Sequence, residues 1–547
     1  MKNLKSYNIL MKIKYLTPLI LLLPPIAFLL AHIYGAISNP DITFTGFLTG
    51  EAPYYMANAR QYLDFGFDSL FYANPYSSDL NSTRHYFQFQ TYILAIMLKI
   101  TALPPGIVWN IFGLFFSYLF IKEAQCFLQR EVIKSTNVNY LTYLLLMILF
   151  FYGGGLHAIS GALFTLIKSG LNFGEIARNT EFFEIAEGWW MHSIGRNFLL
   201  PNYIFYFFLV FKIINNISQK KYNKSFIWQF ILIFSHPFVG VQTIFSICIW
   251  KTFEYLYLRS KLISGRKLLI NYGLLVLHLA YYMVILNLDP EHKQQEQQWK
   301  TSYENLYQNW AMMAKNFIPS YILAIGLFLL NISPSKNFAP FFKSPTHRFL
   351  AILGVCNFVI ANHEFAISPL QPIHFTHGMV WFPFAILGLG FIVKLINEKK
   401  LSTFVLLVFT LFFTLDNSTW YAKRIQQESN GKNQQLRPLT KEGKEIIEFI
   451  NDNYNSTEFL LVSMNKNISY MSSVYTKTRQ WLGHTNITPN AFQKGLELKD
   501  LTMNKHFSKS WEVDSTLFLT DKSFDIPSSI DIKILKKTNL FTLWKRY

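Results

Sequence analysis

The apolar residues of this chain fall into long runs that are separated by short polar segments. Crossing a bilayer as a helix takes about 20 apolar residues, so such runs are predicted membrane spans. The pattern predicts about eleven spans, several of them short. They cover residues 15–34, 106–121, 139–157, 198–214, 225–236, 238–256, 268–287, 310–330, 348–362, 377–396 and 401–416.

The charges of the connecting loops assign a side of the membrane to each span. Lys and Arg are concentrated in alternate loops, such as 122–134 and 394–400, whereas Asp and Glu are concentrated in 153–197 and 288–309. Because cytoplasmic loops carry an excess of Lys and Arg, the N-terminus is predicted to be cytoplasmic. The first loop, residues 35–105, then lies outside.

Two apolar stretches need separate treatment. Residues 86–103 are bounded by His85 and by Pro104-Pro105, and we expect an interfacial or re-entrant helix that does not cross. The basic, apolar N-terminus also has features of a cleaved signal peptide. It has no clear A-x-A cleavage site and further spans follow, which favours an uncleaved first helix.

After residue 416 the long apolar runs give way to alternating polar and apolar elements. Residues 439–454 have helical spacing, with Thr440 as the predicted N-cap. The predicted strands are 458–464, 515–520, 530–535 and 541–546. The sequence therefore predicts an α-helical polytopic membrane domain, 1–416, followed by a small extracytoplasmic α/β domain, 417–547.

Composition supports a membrane protein. Of the 547 residues, 51% are apolar and 17% aromatic. The net charge of +18 lies mainly in short loops between predicted spans, so it indicates membrane topology and no nucleic-acid partner. The cysteines, Cys126, Cys248 and Cys356, have no CxxC spacing and indicate neither a disulfide framework nor a zinc site.

Several stretches, taken in order, resemble the GT-C superfamily of integral-membrane glycosyltransferases, and more closely a large group of mostly uncharacterised bacterial GT-C-like proteins. The stretches are TGFLTGEAPYYMANARQ (45–61), HPF (236–238), NLDPEHKQQEQQW (287–299), QPIHFTHGMVWFPFAILG (371–388), EGKEIIEFI (442–450) and TRQWLGHTNITPNAF (478–492). The resemblance implies a GT-C-like fold, an acidic first loop and a polyprenyl-linked sugar donor. The first loop here lacks the paired DD, ED or DE of the family pattern.

Inverting glycosyl transfer needs a base for the acceptor hydroxyl, and Glu51 in the first loop is the main candidate. A carboxylate at the rim of an aromatic cavity would have its pKa raised toward the range useful for a base. The structural alternative is a helix-start residue, since an acid there is favoured by the helix dipole. Asp41 is the second catalytic candidate, with an ordinary position after Pro40 as its alternative.

The segment 181–203 holds the densest group of candidate binding residues. The predicted substrate-binding residues there are Glu187, Trp189, Trp190, His192 and Arg196. The aromatic rings would stack on a sugar or isoprenoid while Arg196 binds phosphate. An interfacial aromatic belt with a snorkelling cation is the structural alternative.

Three histidines complete the predicted binding site. His236 lies in a Ser-His-Pro break of an apolar run, where the turn must satisfy its backbone groups, and it would contact phosphate or donate a proton. His374 and His377 have i, i+3 spacing at a predicted helix start, which places both on one face. They would line a polar cavity or, with Glu364 or Glu51, bind a divalent metal, and the cofactor requirement stays open.

The sequence thus predicts a multi-pass protein of the bacterial inner membrane that moves a sugar from a polyprenyl phosphate or diphosphate to a glycan, lipid or protein outside the cytoplasm. The segments above are expected to line one cavity. Most of the residues His363, Glu364, Asp289, Glu291 and His292, which lie in predicted outer loops, are expected to be solvated. A non-catalytic GT-C-like scaffold, or a lipid or glycan transporter, is the alternative, although no repeated halves are visible.

Overall fold

The computed structural model is mostly helical, with one small sheet near the C-terminus. It describes residues 15–133, 138–154, 157–170, 172, 194–259, 263–307, 324–330, 344–363, 372–431, 438–484, 486–511, 515–524 and 531–546.

Ten of the eleven predicted spans coincide with observed helices, and most of the remaining one, 310–330, lies outside the described residues. By length and composition, two described helices are able to cross a membrane: Pro105–Ile133 and Gly265–Leu288. A bent pair, Thr403–Phe413 and Leu415–Ser429, makes a third if its 52° break lies within one span. The full count of about eleven spans stays a prediction.

The chain divides into two compact units. The first, which we call the helical unit, comprises Met1–Ala27, Gly113–Ala280 and Ser302–Arg424. The second, the mixed unit, comprises Phe28–Phe112, Tyr281–Thr301 and Ile425–Tyr547. Most of the predicted first loop and most of the C-terminal α/β segment therefore belong to the same unit.

The helical unit is built from helices that are mainly apolar. Those with most of their residues in this unit are Thr17–Leu21, Pro105–Leu128, Tyr140–Tyr152, His157–Ser169, Pro201–Ser218, Tyr222–Ile233, Pro237–Leu256, Gly265–Leu279, Pro345–Ala361, Trp381–Asn397, Thr403–Phe413 and Leu415–Ser429. Aromatic rings fill its core: Phe120 packs against Phe151, Phe207 and Phe211 with ring centroids 5.2–5.5 Å apart. Edge-to-face and offset packing of this kind adds to the free energy gained from burial alone.

The mixed unit combines helices with the sheet. Its helices are Leu23–Ser38, Ala52–Phe65, Phe89–Thr101, Pro290–Tyr307, Lys441–Asn453, Lys466–Tyr475 and Ala491–Asn504. Helix Phe89–Thr101, in the stretch predicted not to cross, has 13 residues and ends at Ala102 in the left-handed conformation. That length rises about 20 Å, which is less than the hydrocarbon thickness of a bilayer.

The sheet has the strand order β2-β1-β3-β5-β4. Its strands are β1 (Leu460–Ser463), β2 (Arg479–Gln480), β3 (Thr516–Asp521), β4 (Ile532–Lys537) and β5 (Phe541–Arg546). β1 pairs in parallel with β2 and β3, whereas β5 pairs antiparallel with β3 and β4. The four predicted strands are confirmed, and the two-residue β2 is too short for a sequence pattern to show.

Helix Lys441–Asn453 confirms the predicted cap. The side chain of Thr440 accepts a hydrogen bond from the backbone N–H of Gly443 at 3.0 Å. The buried face of the helix carries Ile446, Ile447 and Ile450. Capping satisfies a backbone donor at the helix start, and the i, i+4 spacing of the isoleucines provides the apolar face.

We expect Leu461→Ala to lower the free energy of unfolding by about 2–5 kcal/mol, because it leaves a cavity in β1, which lies between β2 and β3. Leu461 is fully buried, whereas Leu540 is 48% exposed, so Leu540→Ala is the matched control. Denaturant unfolding of the full-length purified protein, followed by tryptophan fluorescence, measures both. Equal losses for the two variants would contradict the assignment of β1 to the core.

Candidate functional site

The predicted Ser-His-Pro break is present in the helical unit. Helix Tyr222–Ile233 ends and helix Pro237–Leu256 begins on either side of it, with His236 as the N-cap. The Nδ1 of His236 accepts a hydrogen bond from the backbone N–H of Val239 at 3.2 Å. Because Nδ1 acts as the acceptor, the neutral ring carries its proton on Nε2. His236 is therefore both a cap and a potential donor.

A residue that the sequence analysis missed holds this break in place. The ring of His278 lies between two backbone carbonyls of the break, with Nδ1 3.0 Å from Ile233 O and Nε2 2.9 Å from Pro237 O. Gly240 lets the ring approach, since a Cβ there would lie 2.7 Å from the His278 ring. In the sequence, His278 is visible only as a lone histidine within an apolar run, which does not indicate its contacts with the break.

His374 and His377 lie close together. Their backbone is not the start of an α-helix, which the sequence predicted. His374 belongs to a 3₁₀ turn, Pro372–Phe375, and His377 has a φ of 36°, while the next α-helix begins only at Trp381. The two ring centroids are 6.1 Å apart at 24°. The side-chain amide of Asn197 donates to the carbonyl of His377 at 2.7 Å, which fixes this left-handed residue.

Tyr203 brings the three histidines together. Its ring stacks on His377 at 3.7 Å and lies 5.4 Å from the ring of His236. Its hydroxyl lies 3.3 Å from Nδ1 of His374. We call His236, His374, His377 and Tyr203 the histidine cluster. Two of the stretches that carry the GT-C resemblance, 236–238 and 371–388, thus meet within one unit.

Arg196 lies elsewhere in the helical unit and is buried. Its Nε donates to Oδ1 of Asn417 at 2.8 Å, and its guanidinium lies 5.2 Å from the ring centre of Trp420. A snorkelling cation would be exposed, so that alternative does not describe this side chain. Glu187, Trp189, Trp190 and His192, together with Glu364, lie outside the described residues. The roles of this segment in binding stay predictions.

Glu51 lies in the mixed unit, half-buried at the start of helix Ala52–Phe65. It occupies the N-cap position, but its side chain makes no capping hydrogen bond. The hydroxyl of Tyr470 lies at this turn instead, accepting the N–H of Tyr54 at 3.2 Å and donating to the carbonyl of Gly50 at 2.5 Å. Glu51 therefore stands where the helix-start alternative places it, and a favourable interaction with the helix dipole needs no capping hydrogen bond.

The surroundings of Glu51 are aromatic. Tyr470 packs against Tyr76 and His484, with ring centroids 5.6 and 5.3 Å away. Burial raises the pKa of Tyr54 and of Tyr470, and the negative charge of Glu51 adds to both increases. Burial also lowers the pKa of His484 to about 4. The environment thus keeps these rings uncharged at neutral pH.

Asp41 is exposed, in contrast to Glu51. Its backbone N–H donates to the side chain of Asn39 at 3.1 Å, and its carbonyl accepts from the N–H of Lys441 at 3.0 Å. These bonds hold the backbone and leave its catalytic role a prediction.

Asp289 and His292 were expected to be solvated, and that expectation is wrong. His292 is buried, with Nδ1 3.1 Å from the hydroxyl of Tyr86. Asp289 accepts from Thr83 at 3.3 Å and lies 3.4 Å from Nε2 of His85. They are packed because helix Pro290–Tyr307 begins against the segment 83–86 of the first loop, a contact that the sequence does not show.

Glu291 and Lys494 belong to a buried polar group in the same unit. Glu291 accepts hydrogen bonds from the hydroxyls of Ser77 at 2.6 Å and Ser82 at 3.0 Å, and burial raises its pKa. The Nζ of Lys494 donates to Ser78 at 2.8 Å. Burial lowers the pKa of Lys494 to about 8, although Glu291 opposes the shift.

A metal site was one alternative for His374 and His377. Within the described ranges, no group of three or more His, Cys, Asp and Glu side chains is arranged to hold a metal ion. Glu364, one of the partner ligands considered for these histidines, lies outside the described residues, and no step proposed below uses a metal.

No family model matches the chain, and no curated protein matches it. Among solved structures, the chain is similar to the oligosaccharyltransferase of Archaeoglobus fulgidus. The apo form is 12% identical with a TM-score of 0.37, covering 91% of this chain and 70% of that one. The form in complex with an inhibitory peptide and a dolichol-phosphate is 12% identical with a TM-score of 0.34, covering 93% and 69%. These scores lie below 0.5, so no fold and no residue role is taken from them.

The shifted pKa of Lys494 predicts a pH dependence of stability. Between about pH 8 and pH 10.5 the unfolded state holds a proton on this residue that the folded state has lost, so its contribution to the free energy of unfolding rises with pH. Relative to wild type, Lys494→Met should therefore lose part of that rise. Unfolding midpoints at pH 8 and pH 10 measure it.

Lys499→Met is the matched control, since Lys499 lies exposed on the same helix. It should follow the wild-type pH dependence. A Lys494→Met protein with the same dependence as wild type would contradict a buried, neutralised lysine.

Proposed function

We propose that the chain is a membrane glycosyltransferase of the GT-C type, which moves a sugar from a polyprenyl phosphate or diphosphate to a glycan, lipid or protein acceptor. The observation that carries the proposal is the state of Glu51. Its carboxylate stands at a helix start without capping it, beside buried aromatic rings. A carboxylate in such surroundings is suited to accept a proton.

The acceptor hydroxyl loses its proton to Glu51 as its oxygen forms a bond to the anomeric carbon. The bond from that carbon to the phosphate oxygen breaks, and the polyprenyl phosphate or diphosphate leaves. Taken by itself, the histidine cluster of the helical unit carries N–H and O–H groups of the kind that bind a phosphate, including Nε2–H of His236.

The stretches that carry the resemblance support this assignment by where they lie. In the mixed unit, TGFLTGEAPYY contains the base, and TRQWLGHTN provides His484 in the rings around it. In the helical unit, HPF and QPIHFTHG provide the three histidines of the cluster. Within each unit, segments far apart in sequence supply neighbouring side chains, as expected for residues that contribute to one binding or catalytic site.

The proposed location follows from the charges of the loops. We propose a multi-pass protein of the bacterial inner membrane, with about eleven spans, a cytoplasmic N-terminus and the C-terminal α/β region in the periplasm. The acceptor would then be a component of the cell envelope. Asp41, Arg196 and the segment with Glu187, Trp189, Trp190 and His192 keep their proposed roles in catalysis or donor binding.

Glu51→Gln should abolish transfer, with a loss of about 100-fold or more, because an amide cannot accept the proton of the acceptor. In a deletion strain we expect the lipid-linked sugar donor to accumulate, and lipid extracts analysed by mass spectrometry measure its clearance. Wild type should clear the intermediate and Glu51→Gln should not.

Glu458→Gln provides a matched control with the same chemical change at an exposed residue. Membrane levels of all variants are compared by immunoblot. Clearance by Glu51→Gln at the wild-type rate would refute the base. No accumulation in the deletion strain would favour the scaffold or transporter alternative.

His236→Asn separates the two roles of that residue. Asparagine also caps helices, so the hydrogen bond to Val239 should be kept while the Nε2–H donor is lost. We expect transfer to fall about tenfold or more with little change in thermal stability. Normal transfer by His236→Asn would show that His236 serves only as a cap.

A further inference from the structure

A second cavity-forming region of the helical unit lies apart from the histidine cluster. Three helical segments enclose a cavity of about 360 Å³: Gln129–Ile133, Pro345–Ala361 and Trp381–Asn397. Clefts that bind small organic ligands have volumes of about 300–1,000 Å³, so this cavity is large enough to hold part of such a molecule. The proposed sugar transfer does not use it.

One helix face runs along the cavity. Residues of helix Trp381–Asn397 line it at i, i+4, i+7 and i+11 spacing, which is the spacing of a single face. They are Ile386, Gly390, Val393 and Asn397. At about 1.5 Å per residue, this face is about 16 Å long. The cavity is therefore elongated along the helix.

Two of the helices that enclose the cavity are antiparallel. The side-chain amide of Asn357 donates to the carbonyl of Met379 at 2.9 Å. Three residues earlier, a Cβ added at Gly354 would lie 2.8 Å from the ring of Phe384. Earlier residues of the one helix therefore lie beside later residues of the other, and the start of the first meets the end of the second.

This arrangement separates charged from apolar lining residues. His347, in the first turn of its helix, and Lys394, in the last turn of its own, both line the cavity at this shared end, and Glu398 follows directly. Ile386 and Leu387 line the cavity two turns farther along the helix. A cavity that is elongated, apolar at one end and charged at the other matches an amphipathic ligand.

The charged lining residues include both signs. Lys394 is a cation, whereas Glu131 and Glu398 are carboxylates. The Nε of Arg130 lies 2.9 Å from Oε1 of Glu131, and the Nζ of Lys400 lies 2.8 Å from Oε2 of Glu398. An ionised carboxylate has about four acceptor sites, so these ion pairs are compatible with a further N–H donor on each carboxylate.

A headgroup that carries both charges fits these residues. A phosphate is attracted to Lys394 and to an N–H of His347, and a primary ammonium is attracted to the carboxylates. A headgroup with a negative charge alone would face two carboxylates, because Glu131 and Glu398 both line the cavity.

We propose that this cavity binds a glycerophospholipid whose phosphate carries a primary amine, with an acyl chain along the apolar face and the headgroup at Lys394 and the two carboxylates. The inference goes beyond the proposed function and does not depend on it. The histidine cluster precedes or lies outside helix Trp381–Asn397, whereas the charged end of the cavity lies at its last turn. Loop charges predict that this end faces the cytoplasm, opposite to the proposed site of transfer.

Binding of defined lipids to the full-length purified protein tests the proposal. After removal of copurified lipid in detergent, native mass spectrometry follows titrations with phosphatidylethanolamine, phosphatidylglycerol and a polyprenyl phosphate. We expect phosphatidylethanolamine to bind about tenfold more tightly than phosphatidylglycerol, because only its amine can contact the carboxylates.

Lys394→Gln should weaken the binding of phosphatidylethanolamine about tenfold, because the charge-assisted contact to the phosphate is lost. Lys224→Gln is the matched control. It removes the same charge from an exposed residue of the same unit that does not line the cavity, so it should bind as wild type does.

The double variant Glu131→Gln/Glu398→Gln tests the contact with the amine. It should bind phosphatidylethanolamine and phosphatidylglycerol with equal affinity, since the groups that distinguish the two headgroups are gone.

Gly390→Leu tests the position of the acyl chain. It adds a side chain to the helix face that lines the cavity, and leucine is a better helix former than glycine. We expect it to lose the binding of both glycerophospholipids. If this variant does not fold, Lys394→Gln and the double variant decide.

Three results would overturn the proposal. They are equal affinity of the wild type for the two glycerophospholipids, tighter binding of the polyprenyl phosphate than of phosphatidylethanolamine, and wild-type binding by Lys394→Gln or by folded Gly390→Leu. None of these measurements needs sugar transfer, so they stand whether or not Glu51→Gln abolishes it.

Discussion

Backbone groups at helix starts are the constraint on which both candidate sites depend. The first N–H groups of a helix have no partner within it, and in apolar surroundings each one left unpaired costs several kcal/mol. Two helices with proline in the first turn pair these N–H groups in different ways. At Pro237 the N-cap His236 uses its own Nδ1, whereas at Pro53 the hydroxyl of a distant residue, Tyr470, replaces the side chain of Glu51.

The two solutions leave different chemistry at the N-cap. An imidazole that accepts through Nδ1 keeps a proton on Nε2, and it is oriented by the same bond that ends the break. At Glu51 the N-cap side chain makes no capping bond, and the Tyr470 hydroxyl accepts the backbone N–H of Tyr54. The same structural problem is thus solved once by the N-cap side chain itself and once by a residue of another helix.

Local patterns were enough to predict most elements, but not the partners of the site residues. Apolar runs located ten helices, and the spacing around Thr440 predicted a capped helix, because those signals depend on neighbours within a few residues. His278, Tyr203 and Tyr470 were missed because each acts on residues far along the chain. The solvated state expected for Asp289 and His292 was wrong for the same reason, since their partners lie about 200 residues earlier.

Backbone strain gives a separate argument for the histidine cluster. A non-glycine residue at positive φ costs on the order of 1–3 kcal/mol and persists only where its surroundings impose it. His377 is such a residue, and Asn197 and Tyr203 impose its position through the carbonyl and the ring. The next residue, Gly378, also has a positive φ, of 85°. The strained backbone of His377 is therefore held in place by a hydrogen bond and a ring stack from the same segment, 197–203.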